Sequence, residues 1–374
     1  MKKLSLILLI FVCFGTVFSQ PPNGSYSLIH TQSARSFEKG RLELHTNMNF
    51  YTKLADYIGD PSLRPADFNS YNLWVAAGNI ALTYGVLDHF DITIAPRIYQ
   101  DTQQKDEYNL PDDIFVTLKL GSFAFGDRKF YGAFMSNLRL PTGDVHNYPF
   151  TSYASGAFEF GFTGAVSYYA DAYLPERAWN VHLNLGWWNH NEAGEELAKN
   201  KFATKNSTEI QYALGFVYPT SIFDFTLELN GISYIDQPDP FVYAREDWMY
   251  ITPSLRYKAL SWLSFDLGVD IRVTGGTEES IYTFDRIDLP NYTSWQVQMG
   301  ANITILPLVS VGKSSVQLEK EEFNKRVKFF QKILEDRQRS DEVQEELEKL
   351  KAEREAAERE LEELKQILQE EGSY

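Results

Sequence analysis

Between Trp74 and Pro96 the chain reads WVAAGNIALTYGVLDHFDITIAP, and its large residues keep to one parity. Trp74, Ala76, Ile80, Leu82, Tyr84 and Val86 share it, and Phe90, Ile92 and Ile94 resume it after the connection at 85–89. The other parity is small or polar, with Asn79, Thr83, Asp91 and Thr93. Alternation with period two is the signature of a β-ribbon with two unlike faces. In a soluble protein the apolar face would enter a core; in a membrane barrel it would meet lipid.

From Lys39 to about Leu306 roughly twelve such segments follow one another, each about ten residues long, the length a tilted membrane strand requires. Leu42, Leu44, Met48 and Phe50 mark the first, and Trp295, Val297, Met299, Ala301, Ile303 and Ile305 mark the last. The connections decide between the alternatives, because they alternate in length. Long stretches around 52–70, 99–112, 141–153, 189–206, 236–247 and 275–291 are separated by short ones at 85–89, 126–129, 171–177, 219–221 and 258–261. Outer-membrane barrels have short periplasmic turns, long outer loops and an even strand number. The pattern therefore predicts an all-β transmembrane antiparallel barrel over 39–306. Tyr168, Tyr169, Trp179, Trp187, Trp188, Tyr218, Trp248, Tyr250, Tyr257, Trp262 and Trp295 fall near strand ends, where interfacial girdles are expected.

The inward parity then lines the lumen with Arg41, Glu43, Asp91, Arg97, Lys119, Arg139, Glu159, Glu209, Glu228, Arg256, Asp266, Asp270 and Arg272. Their charges nearly balance. Such a set either cross-links a narrow interior through ion pairs or lines a weakly selective aqueous path. About twelve strands place the barrel between small filled barrels and wide porins, so restricted conduction, or none, is expected.

Beyond about Val316 the period changes. Leu347, Leu350, Arg354, Ala357, Leu361, Leu364 and Leu368 recur at spacings of three and four in a segment rich in Glu, Lys and Leu. This is a heptad seam, and it predicts a C-terminal α-helical coiled coil over 316–371, joined by a linker at 307–315. Its partner is either a second copy of the chain or another periplasmic helix.

At the other end, Lys2 and Lys3 precede an apolar run from Leu4 to Phe14, and Val17-Phe18-Ser19 offers a small residue before Gln20. Residues 1–19 read as a secretory signal peptide, too short for the roughly 18 apolar residues of a span. Residues 20–38 are left as an N-terminal periplasmic segment. Cys13, the only cysteine of the 374 residues, lies within the signal, so the mature chain has neither a disulfide nor a thiol nucleophile. The net charge of -16, without any offsetting Lys/Arg cluster, excludes nucleic acid as a partner and leaves outer-membrane lipid.

Candidate chemistry is sparse. His45, His182, Ser167 and Asn184 share the lumen parity, but nothing in their spacing sets them as nucleophile, base and orienting group. His146 has no partner at metal-ligand spacing, so no metal site is expected, nor any cofactor, and a hydrolase is a distant third reading.

The stretches Tyr84-Gly85-Val86-Leu87-Asp88-His89-Phe90-Asp91, Leu138-Arg139-Leu140-Pro141-Thr142-Gly143-Asp144 and Thr252-Pro253-Ser254-Leu255-Arg256-Tyr257 resemble a group of transporter-like Gram-negative outer-membrane barrels named after the meta-pathway of phenol degradation. The resemblance covers roughly 30–306 and implies an outer-membrane barrel, a channel for small solutes. It transfers no functional residue, and the coiled-coil tail departs from the pattern. Two functions are carried forward: a narrow small-solute channel with a periplasmic coiled coil, and a plugged barrel that anchors the coil to a periplasmic partner.

Overall fold

The computed structural model describes residues 24–55, 71–101, 112–143, 151–198, 200–274 and 292–307, with a few isolated positions besides. The chain divides into one unit over 1–309 and a second over 310–374. The signal peptide over 1–19, the linker apart from Pro307, and the coiled coil with its seam from Leu347 to Leu368 lie outside the described residues, save isolated positions.

Twelve antiparallel strands form the wall. They are β1 (Leu42–Ala55), β2 (Tyr71–Leu87), β3 (Phe90–Asp101), β4 (Ile114–Phe125), β5 (Phe130–Leu140) and β6 (Glu159–Tyr169). The circuit continues with β7 (Asn180–Asn189), β8 (Thr208–Pro219), β9 (Phe223–Asp236), β10 (Trp248–Leu260), β11 (Leu263–Arg272) and β12 (Trp295–Leu306). Each pairs with its neighbours in sequence, and β12 pairs with β1 from Leu42↔Leu306 to Phe50↔Val297, which closes the sheet. Closure matters because hydrocarbon cannot satisfy an open strand edge. The strand number and the alternation of long and short connections agree with the sequence pattern.

Alternation is carried through to burial. In β6 and β7 every second residue is buried and the intervening ones face out. The outward set includes Ile80, Ile94, Phe134, Phe162, Leu185 (57% exposed), Phe216, Leu227 and Leu267 (54% exposed). Apolar residues this exposed, on so many adjacent strands, make a belt that lipid solvates and water does not.

Two departures from the pattern are informative. In β4 the outward parity switches from Leu118 and Leu120 to Phe123 and Phe125, because the register slips between Leu120 and Phe123. Ser122 takes a positive φ of 61° at this bulge, where one extra residue re-aims the strand. The aromatic girdle also needs correction. Trp179, Tyr218, Tyr257 and Trp295 face outward, but Tyr169, Trp188, Trp248 and Tyr250 are buried inside. At the long-loop end Trp248 and Tyr250 join Tyr153, Ile232, Val242, Ala244 and Tyr292 in an apolar cluster. Tyr234 and Tyr292 both donate to the carbonyl of Ala244, at 2.8 and 2.6 Å, and so tie that loop into the barrel mouth.

Replacing Leu185 or Leu267 by Arg puts a charge on the lipid face at mid-strand. Each is expected to destabilise the inserted barrel by about 2–4 kcal/mol, read as a lower urea midpoint for refolding into lipid vesicles.

A lumen filled by the N-terminal segment

Of the segment expected to be periplasmic over 20–38, residues 24–37 run along the inward side chains of the wall. They are inside the barrel, ten of the fourteen buried and the other four half-buried. The reason is physical: this stretch has four Ser together with Thr31 and Gln32, and its main chain finds donors and acceptors on the inward side chains of the wall. From Arg41 the segment passes β3 and the bulge of β4, then β6, β7, β9 and β11. It then passes Arg256 of β10 at Ser27 and comes back to β3 and β4 at Ser25.

Each step of that path is held by a named lumen residue. Both oxygens of Asp91 accept from the N–H of Phe37 at 3.0 Å, and one accepts from Ser25 Oγ at 2.5 Å. Ser122 Oγ accepts from the N–H of Ser36 at 2.8 Å, and Ser167 Oγ accepts from that of Ala34 at 2.8 Å. Asn184 accepts from Gln32 N at 2.7 Å and donates to Gln32 O at 2.8 Å, as a strand partner would. Glu228, fully buried, collects the N–H groups of Ile29, His30 and Thr31 at 3.1, 2.8 and 2.7 Å, and the hydroxyl of Thr31 at 2.8 Å. From β4, Lys119 Nζ donates to Ser25 O at 3.2 Å, Ser25 Oγ at 2.8 Å and Arg35 O at 2.7 Å. The outgoing and returning limbs of the coil are thereby clamped together.

The wall gives way where the coil presses on it. A Cβ on Gly215 would stand 2.6 Å from Leu28 Cδ1, and one on Gly268 would stand 2.8 Å from Ile29 Cδ1. Both glycines sit at inward strand positions, where any larger residue would displace the segment.

The thirteen residues named for the lumen are each buried or half-buried. Arg256 bonds both oxygens of Asp266, at 2.6 and 3.0 Å, and donates to Ser27 O. Asp270 accepts from Thr252, Gln296 and Gln298 and pairs with His30 at 2.7 Å. Arg41 pairs with Glu43 at 2.8 Å and donates to Tyr26. Arg272 donates to Tyr292 O, and Arg97 lies beside Asn79 on the neighbouring strand. Nearer the long-loop end Arg139 bridges Asp113 at 2.6 Å and Glu159 at 3.6 Å, and His190 sits between Glu159 at 3.0 Å and Glu209 at 3.5 Å. These contacts cross-link neighbouring strands and the inserted segment. What the sequence pattern missed is that the cross-links run through an inserted piece of chain.

The candidate catalytic groups are used structurally. Ser167 Oγ lies 2.7 Å from His182 Nδ1, and the same hydroxyl accepts from the N–H of Ala34 at 2.8 Å. Asn184 is occupied by Gln32, and His45 bonds Asn302. Asp112, Asp113 and His146, unremarkable by spacing, come within 4.8 Å of one another through their ligand-type atoms, with Asp113 engaged by Arg139.

Cavities remain on the two sides of the coil. One of about 560 Å3 opens at the short-turn end, lined among others by Tyr26, Arg35, Arg41, Glu43, Arg256 and Lys258. A smaller one of about 120 Å3 lies toward the long loops and is reached by His30.

No family model matches the chain, and no curated protein is similar to it. Among solved structures the fold is similar to an outer membrane channel from Pseudomonas putida F1, at 10% identity over 73% of this chain and 98% of that one, with a TM-score of 0.44. It is also similar to the NanC porin, at 9% identity over 70% and 98% of the two chains with a TM-score of 0.43. The outer membrane channel DcaP of Acinetobacter baumannii matches at 7% identity over 71% and 96%, with a TM-score of 0.30. At such identities and scores no property of these proteins carries over to this chain.

Two outcomes follow from this geometry. Substituting Glu228 by Gln replaces one acceptor oxygen with a donor that faces N–H groups, so the turn at 29–31 loses about 2 kcal/mol or more of protection. Hydrogen exchange at the amides of His30 and Thr31 measures it. The second concerns His190, in the loop after β7. Burial opposes its charging, but Glu159 and the bond to Glu209 outweigh burial and push its pKa up from 6.5 to about 10. A raised pKa means that the stabilisation is complete below about pH 6.5 and is lost as pH rises through about 10. The unfolding temperature should therefore fall over that window in the wild type and fall less in His190→Gln.

Proposed function

We propose that this chain is an outer-membrane β-barrel that offers a narrow small-solute path, held shut at rest by its own N-terminal segment, with the predicted coiled coil over 316–371 extending into the periplasm. The observation that carries the reading is the chemistry of the closure. Residues 24–37 are held mainly by polar and charged side chains, Asp91, Lys119, Asn184 and Glu228 foremost. When such a segment moves, those groups exchange a peptide for water at modest net cost, because a hydrogen bond to solvent replaces each one lost. An apolar plug would leave a greasy bore that water avoids. Here displacement leaves a wetted one, lined with both signs of charge.

The belt of Leu185, Phe216, Leu267 and their neighbours supports the membrane placement, and the long-loop and short-turn ends support an orientation with residues 41 and 306 toward the periplasm. The same closed lumen also favours a second reading, in which the barrel is an anchor for the coil and never conducts. No enzymatic role is proposed.

Planar-bilayer recordings separate the two. For a gated path, the wild type stays mostly closed, and Glu228→Gln combined with Lys119→Met raises the open probability at least several-fold. Silence in the wild type and in that folded variant alike favours the anchor, as does an envelope defect on removing 310–374 that full-length closed protein corrects.

A further inference from the structure

The wall holds residues 29–37 by their main chain. From Ile29 to Phe37 every N–H except those of Ser33 and Arg35 donates to a wall side chain: Glu228, Asn184, Ser167, Ser122 or Asp91. Carbonyls are met as well, those of Ser25 and Arg35 by Lys119 and that of Ser27 by Arg256. At Gln32, Ala34 and Ser36 both main-chain groups are engaged. Asn184 serves Gln32 in both directions, and Ser122 Oγ accepts from Ser36 N–H at 2.8 Å and donates to its carbonyl at 3.4 Å. Ala34 gives its N–H to Ser167 Oγ, and its carbonyl accepts from the main-chain N–H of Ser122 at 2.8 Å, a donor that the β4 bulge turns inward. Engagement of alternate residues is how a peptide is read when it is added to a sheet.

Such contacts carry little sequence information. Peptide groups are the same in every residue but proline, so a seat built on them accepts many sequences in an extended shape. Side-chain demands are confined to a few places. Ala34 is fully buried against Met135 and Ala165, where only a small residue fits. Tyr26 and Arg35, by contrast, line the open cavity of about 560 Å3, which leaves room for long side chains. Charge sets a bias. The acids that meet the segment are Asp91, Glu228, Asp270 and, beside Arg35, Glu176. Among the bases Arg41 and Arg256 are held by Glu43 and Asp266, which leaves Lys119, together with Arg97 in the wall of the cavity that His30 also lines. The segment answers this excess of acid with His30 and Arg35.

These wall groups are covered by the segment itself, so a ligand reaches them only by taking its place. We infer that the lumen is a seat for extended oligopeptides, neutral or basic overall, and that residues 29–37 occupy it as a stand-in for such a peptide. The inference rests on the gated-path reading and names the class of solute for that path. The bore admits a solute of this cross-section, since it already holds one. Each bond lost when the segment leaves is then replaced in kind by a peptide group of the incoming chain.

The test uses the full chain in detergent micelles, with Thr31→Pro and Ala34→Pro combined. Both changes lie in the segment, remove N–H groups that the wall collects and leave every wall residue unaltered. Three fluorescein-labelled peptides serve as probes: the sequence of residues 29–37, the same composition in shuffled order with Ala kept at its place, and the first peptide N-methylated at the positions of Gln32, Ala34 and Ser36. Fluorescence anisotropy is expected to show saturable binding of the first two within about tenfold of each other, and binding of the N-methylated peptide weaker by at least about tenfold. The wild type, whose seat is filled, should bind the first peptide at least about tenfold more weakly than the variant does. If the double variant does not fold, Ala34→Pro alone takes its place. No saturable binding to the folded variant overturns the inference, as does a shuffled peptide that binds more than about tenfold more weakly than the first. So does an N-methylated peptide that is not weakened by that factor, or a wild type that binds as well as the variant. Planar-bilayer conductance of the same variant keeps the two readings apart. A variant that conducts yet binds no peptide removes only the peptide seat, whereas one that binds peptide and stays silent removes only the gated path.

Discussion

A stretch of chain without regular structure, placed inside a barrel, brings main-chain N–H and C=O groups that no strand satisfies. This constraint governs the interior. The wall meets it with side chains in place of backbone: a carboxylate at Glu228 for three successive N–H groups, an amide at Asn184 that pairs with Gln32 in both directions, and an ammonium at Lys119 for two carbonyls. Without these partners the coil would carry unpaired polar groups and would be expelled. Without the coil the same wall groups would need water or one another. The lumen charges are therefore better described as a template for a peptide than as a set of ion pairs, although Arg256 with Asp266 and Arg139 with Asp113 are ion pairs in the ordinary sense.

The wall was legible in the sequence because its two solvents differ so much. Period-two alternation, segment length and alternating connections each follow from one face touching hydrocarbon and the other a polar interior, and all three are local in sequence. Strand number and inward-facing charges could accordingly be read from single segments. What each charge touches could not, because the partners are remote in the chain: Glu228 lies 197 to 199 positions from its donors. The segment over 24–37 shows no periodicity at all, and a stretch of Ser, Thr and Gln reads equally well as a solvated tail. A signal was present in Gly215 and Gly268, glycines at inward positions that alternation alone does not ask for. Equally hidden was the inward turn of Trp248 and Tyr250, since an aromatic near a strand end suits an interface and a lumen mouth alike.

The three stretches that carry the resemblance to transporter-like barrels look different once the interior is seen. Asp91 ends the first and holds both Ser25 and Phe37; Arg139 in the second reaches Asp113 and the carbonyl of Tyr153; Arg256 in the third reaches Ser27. The first is a turn and the second a strand end, whereas the third lies inside β10, and the first and third also grip the inserted segment.

The contacts of that segment are spread over strands from β3 to β11, and no two or three neighbouring strands offer enough of them to seat it. Its shape exists only against a completed cylinder. Residues that precede every strand in the chain therefore find partners up to 240 positions further on, so the seat of the segment is complete only when the wall is.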